Sequence, residues 1–219
     1  MMQLRRSRFG LIVGAAVSMI AALAQSQAHA QTQAQAEEEK FVQDEIYSDE
    51  ELRVYTEFQK FFQFDDDDGG YPNEVENYLV KSNEMFESGV PQVGLKVFRD
   101  AVDACKRIKG ESSSTVALLM TGGMMIGAVM EQREAGLEYI NEGLLIVRKK
   151  LGDKHPLVAV AYCYLALVEF AAKNTREFNN YSRRCLDVCY EIFGKDGYMT
   201  KEFENCFLGL AETRPSPKK

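Results

Sequence analysis

Gly110, Gly152 and Gly194 each close a helix-patterned segment, and successive members of the set stand 42 residues apart. A period of that length signals stacked supersecondary units, each too small to bury its own apolar face and so dependent on its neighbours. The register is not confined to these glycines. Ala101, Gly143 and Cys185 share it, as do Val102, Leu144 and Leu186, and so do Gly94 and Gly136. A small side chain at one place in every unit permits close helix-to-helix approach, and a large apolar neighbour fills the groove beside it.

Hydrophobic spacing divides each unit into two helices. The first is predicted over Asn73 to Glu87 and Gln92 to Lys109, with a turn at Ser88-Gly89-Val90-Pro91. The second covers Ser114 to Gln132 and Arg133 to Leu151, with Gly122-Gly123 expected to interrupt its first helix. The third covers Pro156 to Lys173 and Thr175 to Phe193, and a last helix from about Met199 to Thr213 is expected to seal the C-terminal end. Residues 214–219 read as a frayed tail.

The stretch Gly152-Asp153-Lys154-His155-Pro156-Leu157-Val158-Ala159, followed by Tyr162 to Glu169 and then Arg183-Arg184-Cys185-Leu186, resembles a tetratricopeptide (TPR) repeat. It is most similar to the 42-residue variety found in kinesin light chains, with Phe178 where that family usually has alanine. The resemblance implies an all-α fold: a right-handed superhelical array of antiparallel helix pairs, about three TPR-like repeats over residues 73–213. An extra N-terminal helix and a C-terminal capping helix would complete it. It also implies that the first helix of each pair lines a concave groove holding a peptide or a partner's helix. Carried onto this chain, that register gives Leu79, Asn83 and Phe86, then Thr121, Met125 and Ala128, then Val160, Cys163, Leu167 and Phe170. Such a lining is more apolar than charged and suits an apolar helix or extended segment.

Residues 1–30 read as an export signal. Arg5, Arg6 and Arg8 form a basic start, Phe9 to Ala24 an apolar run, and Ala28-His29-Ala30 a small-residue cleavage site that would leave Gln31 first. The run is short and rich in alanine and glycine, which favours secretion over stable membrane insertion, by the general secretory route and into a periplasmic or extracellular setting. Removing it takes three arginines and leaves 23 basic against 33 acidic residues, a net charge of −10. That balance argues against nucleic acid and anionic membranes as partners, because phosphate contacts need dense lysine and arginine.

Residues 31–47 form a Gln/Ala/Glu-rich spacer, and residues 48–72 a further helix and an acidic loop. Ser48 caps that helix, and Leu52, Tyr55, Phe58, Phe61 and Phe62 follow at helical spacing. It has no counterpart in the repeat, so it either caps the stack or lies across its groove. From Asp65 to Glu76 the carboxylates of Asp65 and Asp67, Gly70, Asn73 and a twelfth-position Glu76 resemble an EF-hand calcium loop. Gly69 replaces an oxygen ligand there and Pro72 stands in place of the apolar residue that pairs neighbouring loops, so a solvated acidic turn is the favoured reading over a calcium site.

No catalytic constellation emerges, and no cofactor or metal is called for. His155, the one histidine after cleavage, sits in a loop where a cap or turn explains it better than acid–base chemistry. Ser112-Ser113-Ser114 occupies the same loop one unit earlier and reads as a helix cap, and Gly122-Gly123 lacks the lysine and hydroxyl partners of a phosphate loop. Cys185 and Cys189 share a helix face as small core residues, while Cys163 and Cys206, nearly one repeat apart on successive first helices, could meet, so that both a disulfide and free thiols stay open there. The expected function is a non-enzymatic exported scaffold for protein–protein interaction. Its alternatives are a calcium-responsive module using residues 65–76, and a structural repeat whose groove is filled by its own N-terminal helix or by a homodimer.

Overall fold

The computed structural model describes residues 70–212. The expected export signal, the spacer, the Leu52 to Phe62 helix, Asp65 to Asp68 and the C-terminal tail lie outside the described residues. Within them the protein is all-helical: α1 Asn73–Glu87, α2 Pro91–Lys109, α3 Ser113–Met124, α4 Arg133–Leu151, α5 Pro156–Ala171, α6 Thr175–Phe193 and α7 Tyr198–Glu212. Between α3 and α4 the chain makes one wider, π-helical turn, Met125–Val129, closed by the Met130 N–H on the Met125 carbonyl at 3.1 Å.

The 42-residue period is written into the backbone. The second helices of the three units, α2, α4 and α6, are each 19 residues long and start 42 residues apart. Gly110, Gly152 and Gly194, which follow them, have φ of 65°, 86° and 75°, the left-handed geometry that glycine adopts without steric cost. Each donates its N–H to the carbonyl four residues back. A second set in the same phase closes the first helices: Gly89, Glu131 and Lys173, at φ of 73°, 57° and 59°. Only the first of these is glycine, so the sequence conceals the match.

The helices of each pair run antiparallel. Along α3 and α4 the facing positions are Gly127 with Gly136, Gly123 with Ile140, and Met120 with Gly143, so one number rises as the other falls. The approach is closest where glycine meets glycine: a Cβ on Gly136 would stand 2.5 Å from the Gly127 Cα and 2.6 Å from the Gly123 carbonyl oxygen. The small residues in register do lie at contacts, since Ala101, Gly143 and Cys185 are all buried. Phe178 is buried too, its ring 5.5 Å from Phe170 and 6.1 Å from Phe207 of α7.

One expectation needs correction. Gly122-Gly123 does not interrupt its helix, because α3 runs through both residues. Gly122 faces the Phe98 ring, which would lie 2.3 Å from an added Cβ, and Gly123 faces α4, so the pair serves packing on two sides. The irregularity falls just after them, in the π-helical turn, where Gly127 meets Val168 of α5. Cys163 and Cys206 carry free thiols rather than a disulfide.

Candidate functional site

Helix α1 is amphipathic and buries only Val75 and Ser82 completely. Part of its remaining apolar face borders a cavity of about 470 Å³ enclosed with α3. Leu79, Asn83 and Phe86 line it from α1, and Thr121 and Met125 from α3 and the turn that follows, with Ala117 and Leu118 beside them. Phe98 of α2 lies across Gly122 and forms the floor, and Tyr71 and Met130 also contribute to the walls.

Two of the polar groups here are committed, while Thr121 Oγ1 is buried without a hydrogen-bond partner among the described residues. Ser82 Oγ donates to the Gly94 carbonyl at 2.8 Å, and Asn83 Nδ2 donates to Glu87 Oε1 at 2.8 Å. Among the described lining residues the only charged one is Glu76. The described lining therefore offers apolar walls with a few rim dipoles, which suits an apolar side-chain cluster.

Five of the ten expected groove residues come together: Leu79, Asn83, Phe86, Thr121 and Met125. Ala128 is half-buried in the π-helical turn and is not part of the lining. The α5 residues are elsewhere. Val160 and Cys163 are buried, while Leu167 and Phe170 are half-buried against the core. The cause is visible in the composition of α5, where Val158 to Val168 offers no polar face; a helix apolar all round is enclosed rather than presented to a groove. The candidate site thus belongs to the first two units.

No protein-family model matches the chain, and no curated protein matches it.

The remaining candidates resolve into structural roles. His155 caps α5, its Nδ1 accepting the Leu157 N–H at 3.3 Å, and burial holds its pKa below the ordinary histidine value. Ser112 caps α3 through Thr115 N. The Cys163 thiol is pushed well up by its hydrogen bond to Cys206 and by burial, while Cys206, accepting that bond, is lowered. Cys185 is raised by burial and by its neighbour Cys189. Among the described residues no group of three His, Cys, Asp or Glu side chains is arranged to hold a metal ion. No described helix is long and apolar enough to cross a membrane.

One buried polar cluster is not legible from the repeat. Glu169, 1% exposed near the end of α5, accepts Arg133 Nε at 2.9 Å and Nη2 at 2.7 Å, and Asn174 Nδ2 at 2.9 Å. The guanidinium fork binds both carboxylate oxygens, which raises the Arg133 pKa above its ordinary value. The pair ties the start of α4 to the end of α5, and so joins the second unit to the third. Its one sequence signal is that Glu169 is the sole charge in an otherwise apolar helix.

Proposed function

We propose that the protein is an exported, non-enzymatic TPR-like scaffold that binds an apolar helical or extended segment of a protein partner. The observation that carries this reading is the apolar cavity between α1 and α3, lined by Leu79, Phe86 and Met125. It lies on the first helices of two successive units, the surface that the TPR resemblance assigns to ligand. The helix pairs, with α7 after the third, are taken as a right-handed superhelix of about three repeats. Apolar walls give affinity through burial, flexible methionines adapt to varied partner surfaces, and rim groups such as Asn83 fix register.

Immobilised protein tests the reading against an envelope extract, with Leu79→Asp/Met125→Asp as the groove variant and Leu208→Asp as the control, Leu208 being 62% exposed on α7. A partner that the native protein and the control retain, and the groove variant loses, is the expected result. Equal retention by all three proteins sinks the groove as the working surface.

A further inference from the structure

We propose that the resident of the α1–α3 cavity is the chain's own Leu52 to Phe62 segment, so that an external partner binds by displacing it. This rests on the groove reading above and names the ligand chemistry the groove selects: a helical segment with bulky apolar side chains on one face.

Three observations converge on this occupant. The first is where the described chain begins. The Gly70 carbonyl accepts a hydrogen bond from Ser114 Oγ, at 3.5 Å, at the start of α3, and Tyr71 already lines the cavity. The covalent tether of the segment is therefore fixed at the edge of the cavity. The second is reach. Gly70 lies eight residue steps after Phe62, a span of at most about 29 Å when extended. The lining on α1 runs from Glu76 to Phe86, ten residues of helix or about 15 Å.

The third is the match in length and pattern. Leu52 to Phe62 is also ten residues of advance, and Leu52, Tyr55, Phe58, Phe61 and Phe62 recur at the spacing that places them on one helical face. That face needs cover, and the cavity wall on α1 is apolar over a matching length. A tethered segment also competes at an effective concentration in the millimolar range, which sets the affinity an external partner must exceed or the concentration it must reach.

Hydrogen exchange of the full-length chain is the test, because it reads the segment and the array in one sample. In the native protein the amides of residues 52–62 are expected to exchange at least roughly tenfold more slowly than the same sequence as a free peptide. Leu79→Asp/Met125→Asp should return them to the free-peptide rate while α5 stays protected, which shows that the array is still folded. A second variant, Phe58→Asp/Phe61→Asp, leaves the α1–α7 array untouched. A fluorescent peptide of residues 48–64 should bind that variant at least about tenfold more tightly than it binds the native chain, whose site is occupied.

Free-peptide exchange of residues 52–62 in the native protein overturns the proposal, as does protection that survives the cavity substitutions. If self-occupancy fails in this way while partner retention still depends on Leu79 and Met125, the groove reading stands alone. If both fail, the cavity is not a binding site.

Discussion

Replacing Arg133 with methionine removes the guanidinium from a carboxylate that has almost no access to water. Glu169 is 1% exposed and would lose its bonds at 2.7 and 2.9 Å, keeping only the 2.9 Å bond from Asn174. Breaking a buried ion pair from one side costs about 3–5 kcal/mol, because the remaining charge is left uncompensated. Arg133 is one-third exposed, so some water reaches its side of the pair, and Asn174 still donates; both place the cost near the lower figure. For an array of this size, about 3 kcal/mol corresponds to a fall in melting temperature of roughly 6–12 °C. Circular dichroism melts and urea titrations of the native, Arg133→Met, Glu169→Met and double-variant proteins give the full cycle. The double variant is expected to recover most of the loss, since an apolar pair replaces both charges at similar volume. A single-variant loss under about 1 kcal/mol would refute the claim that this pair locks the second unit to the third.

Other substitutions probe the repeat itself. Lys173→Gly and Glu131→Gly relieve left-handed backbone at positions where the first unit already has Gly89, and each should stabilise by about 0.5–1 kcal/mol in urea titration. Gly136→Ala drives a Cβ into the Gly127 backbone at 2.5 Å and should destabilise strongly, whereas Gly94→Ala meets only the Phe86 ring, at 3.0 Å, and should be milder. The difference in their urea midpoints checks the geometry. His155 titrates lower in the folded state than in the unfolded chain, so its contribution is complete above about pH 7 and is lost as pH falls through the ordinary histidine value. Melting temperature should therefore drop between about pH 7 and pH 5, and His155→Asn, which keeps a capping acceptor, should flatten that part of the profile. Cys206 is partly exposed and carries the lowered thiol, so mass spectrometry after brief alkylation should find it modified before the four buried cysteines.

The fold was legible where composition and period agreed. The bounds of α1, α4 and α6 match the expected segments residue for residue, because glycine or a turn closes each of them. Glu131 and Lys173 hid the second set of backbone marks, since neither residue type advertises a left-handed conformation. Of the α5 residues that the resemblance assigns to the groove, Val160 and Cys163 are buried and Leu167 and Phe170 are half-buried against the core, because Val158 to Val168 has no polar face. Gly122-Gly123 read as a helix breaker in sequence, yet their missing side chains admit Phe98 on one side and Ile140 on the other. The Arg133–Glu169 pair spans 36 residues rather than 42, and the repeat gave no cue to it.

The most direct measurement is photo-crosslinking in living cells from a benzophenone side chain placed at Asn83, which lines the cavity and is exposed. Leu208 on α7 serves as the control position. The account predicts an adduct with a second protein from position 83 and not from 208, and a stronger one when Phe58→Asp/Phe61→Asp frees the cavity. No intermolecular adduct from position 83 in either background, or equal adducts from 83 and 208, would contradict it.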